Sequence, residues 1–181
     1  LELPSGLPRW ERSMLEAVRR RASVEIALNE STPIRPGGVV IPHGHYMDWF
    51  AGMPRSSEVP GQVGFVGLVR RYKGVDALVD AYAAVRAGRD DVSLLIAGRP
   101  TTPEQGDALL RRLVDVPGAT ARLAYLSEED YALAVSSSSL VVLPYVHMHN
   151  SGSALAALSL DRPVLVPRNE VNEALAREAG E

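Results

Sequence analysis

From Gly38 onward the chain alternates short apolar runs with helical patterns, and no other feature restricts its fold so severely. The runs are Val39-Val40-Ile41-Pro42, Val63-Gly64-Phe65-Val66-Gly67, and residues 92–97, 121–124, 140–143 and 163–166. They are nearly continuous rather than alternating, which means burial on both faces and therefore a parallel sheet. Between them Val75, Leu78, Val79, Tyr82 and Val85 recur at helical spacing, as do Leu109, Leu110, Leu113 and Val114. Ser127-Glu128-Glu129-Asp130 has the form of a capped helix start. Residues 152–160 form a short helix of small residues, closed before Pro163. Six strands with five intervening helices predict an α/β fold, a doubly wound, Rossmann-like parallel sheet.

Residues 1–37 read differently. An Arg-rich amphipathic helix over 10–21, a short apolar run over 24–28 and a Pro/Gly-rich loop over 32–38 suggest a linker and a remnant of a partner domain. Residues 38–181 are then one Rossmann-like domain. The chain begins without Met and stops in an unfinished helix-to-strand passage, so a fragment of a longer polypeptide is expected. At 181 residues and net charge −3, with acids and bases interspersed, it carries no electrostatic footprint for nucleic acid. Zero cysteines exclude disulfides and thiolate metal sites, and the four His lack metal-ligand spacing, so no metal is expected. No apolar run reaches the roughly 18 to 20 residues that span a bilayer. The expected location is the cytoplasm.

In a parallel sheet, segments that follow a strand and precede a helix share the carboxyl edge. Two such segments carry chemistry. Arg70-Arg71-Tyr72-Lys73-Gly74 brings three cations to a helix start, and Asn150-Ser151-Gly152-Ser153 brings small residues whose backbone N–H groups accept a close approach. Facing one another across the edge, they suit a diphosphate. The plainer readings are a solvated basic turn and a simple helix cap with tight packing. Gly98-Arg99-Pro100 and Tyr125-Leu126-Ser127 are further strand-end loops where a planar base could rest, with Gly98 and Leu126 as its contacts; ordinary turn chemistry is the alternative. His43 and His45 lie on another strand-end turn. His147 and His149 are two apart, which is poor metal spacing, and suit an acceptor-side or catalytic role better. Gly64 and Gly67 lie in a strand and not in a dinucleotide-binding turn.

The order of these motifs resembles the C-terminal, donor-binding domain of a family 4 (group 1) retaining glycosyltransferase, one half of a glycosyltransferase B fold. Ile41-Pro42-His43-Gly44 resembles its entry strand, residues 66–74 its basic diphosphate loop, and Asp161-Arg162-Pro163-Val164 its Gly-x-Pro-Val segment. The resemblance implies a nucleotide-diphosphate sugar as donor substrate, with no separate cofactor. Arg70, Arg71 and Lys73 would hold the diphosphate together with residues 150–153. Arg70, Lys73 and His149 would carry catalysis. The implied reaction moves a hexosyl group to a saccharide or glycolipid acceptor, with retention and without metal, in polysaccharide biosynthesis peripheral to the membrane. The acceptor would be held by a domain outside this chain, leaving the isolated chain inactive. The chain departs from the family at Met148 and Ala156, where members usually carry Glu residues near the transferred sugar and on the ribose. That departure keeps open a catalytically inactive scaffold or interaction module, and the fold also admits an epimerase.

Overall fold

The computed structural model describes residues 8–146, 148 and 150–180. They fall into two compact units, Leu1–Gly44 and His45–Glu181. In the first unit, helix α1 (Arg9–Arg21) buries no side chain, and Trp10, Met14 and Val18 are exposed. Strands β1 (Ile26–Ala27) and β2 (Val39–Val40) pair in parallel, Ile26 opposite Val39. Glu25 ties this unit together: its carboxylate accepts from Arg19 Nε at 2.5 Å and from the Arg35 backbone N–H at 2.8 Å. The Arg19 hydrogen bond, then the Arg35 amide, hold the carboxyl down at about 2.

The second unit is built on a five-stranded, all-parallel sheet of β3 (Gln62–Val66), β4 (Ser93–Ala97), β5 (Ala119–Arg122), β6 (Leu140–Val142) and β7 (Val164–Leu165), in the order β5-β4-β3-β6-β7. The expected sixth strand is corrected here. Val39-Val40 pairs with β1 in its own two-stranded sheet, and neither residue is fully buried, as a central strand would require. The run expected at 121–124 is shifted to Ala119–Arg122, and its residues alternate between half-buried and exposed. That alternation follows from its place at the sheet edge, where a continuous apolar run is not needed.

Helices α3 (Val75–Arg86), α4 (Pro103–Leu113), α5 (Glu128–Ser136) and α6 (Gly152–Ser159) connect successive strands. The chain moves outward from β3 to β5, then returns past β3 to β6 and β7. Right-handed crossovers therefore place α3 and α4 on one face and α5 and α6 on the other. On the second face lies the short helix α2 (Met47–Phe50), anchored where the Tyr46 N–H donates to Ser159 Oγ at 2.9 Å. Helix α7 (Glu170–Ala179) follows β7. Phe65, Leu94, Ile96, Leu143 and Leu160 are fully enclosed in the core. Among the described residues, no helix is long and apolar enough to cross a membrane.

The reversal between β3 and β6 matters most for function. Chains leaving these neighbouring strands diverge, which opens a crevice at their carboxyl ends, the usual ligand position in such sheets.

Candidate functional site

Two segments fill that crevice. After β3 the chain passes Gly67 and forms a 3₁₀ turn over Arg71–Lys73, ending at Gly74 with φ +68 before α3 begins. Gly74 lies against the Pro144 carbonyl, where a β-carbon would collide with backbone. After β6 the chain runs along this turn, and the Val146 N–H donates to the Tyr72 carbonyl at 2.9 Å. The Tyr72 and Tyr145 rings meet edge to face, 6.0 Å apart. The turn carrying the cations and the segment leading to α6 are thereby fixed to one another.

Lys73 is held within this frame. It is 9% exposed, with Nζ 4.8 Å from the centre of the Tyr145 ring. Among the described residues no ion pair involves it. A ring face offsets part of the cost of burying an ammonium, but an uncompensated buried charge is strongly unfavourable unless an anion joins it. Tyr145 is also buried, and its hydroxyl has no hydrogen-bond partner among the described residues. A β-carbon on Gly67 would sit 3.5 Å from Ser153 Oγ and 3.6 Å from Lys73 Nζ, so the end of β3 borders both groups. The buried cation and the start of α6 converge beside Gly67 on a spot suited to an anionic group.

Beside it opens a cleft of about 440 Å³, within the range of small-molecule sites. Tyr46, Trp49 and Phe50 form one wall, and Leu126, Ser127, Glu128 and Tyr131 another. Its floor is Gly152, Ser153 and Ala156 from α6, so the cleft and the anion position share Ser153. Phe50 and Tyr131 lie parallel with ring centres 6.3 Å apart. Burial raises the Tyr131 hydroxyl well above the usual phenol range, opposed by its hydrogen bond with Ser153. Tyr131 is therefore a neutral hydrogen-bonding group at any physiological pH.

The residues singled out from sequence are distributed as follows. Lys73, Gly152 and Ser153 meet at the crevice, and Leu126 lines the cleft. Arg70 precedes the 3₁₀ turn in extended conformation and Arg71 begins it; both are exposed. Ser151 caps α6, its oxygen accepting from the Ala154 N–H at 3.2 Å, and Asn150 is exposed beside it. Gly98, at φ +142, lies against the Gly67 carbonyl and brings the ends of β3 and β4 together. His43 and His45 are on the turn before α2, and the Met47 N–H donates to His45 Nδ1 at 3.3 Å. His149, like His147, lies outside the described residues.

Met148 is packed away from the cleft. Its thioether accepts from Asn172 Nδ2 at 3.4 Å and its carbonyl from Asn169 Nδ2 at 2.9 Å, fastening this segment to the start of α7. Ala156, by contrast, faces the cleft. The aromatic wall and Glu128 are missing from the sequence reading. A signal existed for the wall, since three of the chain's ten aromatic residues fall within residues 46–50. For Tyr131 and Glu128 the capping pattern explains the residues locally, and nothing in the sequence brings them opposite α2.

A family model for glycosyl transferases group 1 matches residues 60–180. Two sequences of GDP-mannose:glycolipid 4-beta-D-mannosyltransferase from Xanthomonas campestris pv. campestris are each 45% identical over 176 residues, covering 94% of this chain and 48% of their own length. The chain thus spans about half the length of the curated relatives it matches. Among solved structures, Anabaena Alr3699/HepE in complex with UDP and glucose matches with a TM-score of 0.70 at 17% identity, over 91% of this chain and 49% of that one. TarM matches with a TM-score of 0.66 at 13% identity, over 98% and 40%. At these identities the structures speak to the fold, a glycosyltransferase B architecture of which the five-stranded unit forms the C-terminal half. The crevice at the β3/β6 reversal lies inside the matched residues, and the chain belongs to the group 1 glycosyl transferases.

Proposed function

We propose that this chain is the donor-binding part of a glycosyltransferase that takes a mannosyl group from GDP-mannose to a glycolipid acceptor. The observation that carries the reading is Lys73, a buried ammonium over the Tyr145 ring without a carboxylate partner among the described residues. A nucleoside diphosphate would supply the missing counter-charge, with its base and ribose in the adjoining cleft. The sugar and acceptor classes come from the relatives' name.

In the reaction the bond from the sugar C1 to the diphosphate oxygen breaks as the acceptor hydroxyl attacks C1. Negative charge then builds on the departing diphosphate. Lys73, the exposed Arg70 and Arg71, and the backbone N–H groups opening α6 would stabilise that charge, best in the transition state. We assign this stabilisation to the protein without a metal ion. The acceptor would be held by a part of the parent outside this chain, working in the cytoplasm and peripheral to the membrane that carries the glycolipid.

Stereochemistry has two readings. The family resemblance implies retention. The relatives' name specifies a β-mannoside, which from an α-linked donor requires inversion, and that name favours the second reading. The one-bond C1–H1 coupling of the purified product distinguishes them.

The test of the donor site is calorimetric titration of the chain with GDP, UDP and ADP, repeated on Lys73→Ala. GDP binding that weakens on the order of 100-fold in the variant is expected, as for loss of a charge-assisted contact in a desolvated site. A wild-type chain that binds none of the three would favour the scaffold reading, to which Met148 and Ala156 point.

A further inference from the structure

We propose that Glu128 reads the base of the nucleotide and makes the cleft selective for guanine. The inference rests on the donor reading above and adds the residue that chooses among nucleotides. Among the described cleft-lining residues Glu128 is the one charged side chain; the others are aromatic, aliphatic, hydroxyl-bearing or glycine. A planar, largely apolar ring suits such walls, and the exposed face of Trp49 offers a stacking surface.

Three acids open α5, and their fates differ. Asp130 forms a two-pronged pair with Arg122, at 3.0 and 2.8 Å, and its N–H donates to Ser127 Oγ. Glu129 does not line the cleft. Glu128 does, and no hydrogen bond or ion pair engages it among the described residues. It is the first residue of α5, and a carboxylate there offers two acceptor oxygens and no donor.

An acceptor-only fork in an apolar slot discriminates among bases. Guanine presents two parallel donors, N1–H and the 2-amino group, which match both carboxylate oxygens. Uracil flanks its single N–H with two carbonyls that repel a carboxylate. Adenine presents a ring-nitrogen acceptor on the same edge. Glu128 is exposed in the open cleft, and a base that covers it leaves any mismatched group there without its water, which costs more than the matched contact gains.

The experiment is a titration of the chain, and of Glu128→Gln and Glu128→Ala, with GDP, IDP and UDP. IDP keeps N1–H and lacks the 2-amino group. The wild-type chain is expected to prefer GDP over IDP by about tenfold and over UDP by more, and both substitutions should erase most of that preference. A GDP/IDP ratio unchanged in both variants overturns the assignment while leaving the donor site intact. A uniform loss for all three nucleotides also overturns it, and places the carboxylate on the shared ribose. If the wild-type chain binds none of the three, the donor reading itself fails, and this is told apart from the other outcomes by the wild-type titration alone.

Discussion

Gly98 shows how one residue shapes the crevice through the backbone alone. With φ +142 and the Gly67 carbonyl against its α-carbon, it lets β3 and β4 close together just where the crevice begins. Any β-carbon there meets backbone, which has no rotamer to escape into. Gly98→Ala is therefore expected to lower stability by on the order of 3 kcal/mol, read as the shift in a urea unfolding curve. A variant as stable as the parent chain would mean that the strand ends move apart freely. Lys73 presents the opposite case, a cation buried against the Tyr145 ring with no ion pair among the described residues. Its charge was legible in the sequence, but its burial depends on Tyr145, about seventy residues away, and no local pattern announces that pairing.

At the scale of elements, helix starts do most of the positioning. Thr102, Ser127, Ser151 and Asn169 each accept a hydrogen bond from an N–H three residues on, so α4, α5, α6 and α7 begin at defined places. For α5 the cap aims both Glu128 and Tyr131 at the cleft. Ser127→Ala is expected to cost about 1 kcal/mol in unfolding free energy. It should also weaken nucleotide binding by a few-fold, since the first turn of α5 loses its anchor; a urea unfolding curve reads the first effect and the nucleotide titrations the second. Cap and helix were readable because Ser-Glu-Glu-Asp satisfies orphan N–H groups by chemistry local to the segment. Strand membership was less so. Val39-Val40 is as β-branched as any central strand, yet it pairs with Ile26-Ala27, because pairing is decided by neighbours that a short apolar run does not name.

At the scale of the molecule, the β3/β6 crevice lies within the five-stranded unit, while the relatives extend to about twice this length. The chain alone is expected to bind GDP one to one and to transfer no mannose. The full-length parent is expected to transfer mannose, with a rate unchanged by chelating divalent cations. Transfer by the isolated chain, or loss of the parent's activity on chelation, would overturn the division of labour or the metal-free mechanism respectively; a radiolabelled glycolipid assay reads both. By itself the sequence determined the parallel α/β class, the helix faces and the α5 cap, and the two strand-end loops that border the β3/β6 crevice, because each depends on periodicity or on hydrogen bonds within a few residues. Only the tertiary structure decided which strands share the sheet, that Met148 packs against α7 while Ala156 faces the cleft, and that Glu128 meets an aromatic wall. Those outcomes depend on contacts between residues far apart in the chain, where burial is settled by the shape of the whole unit and not by the local pattern.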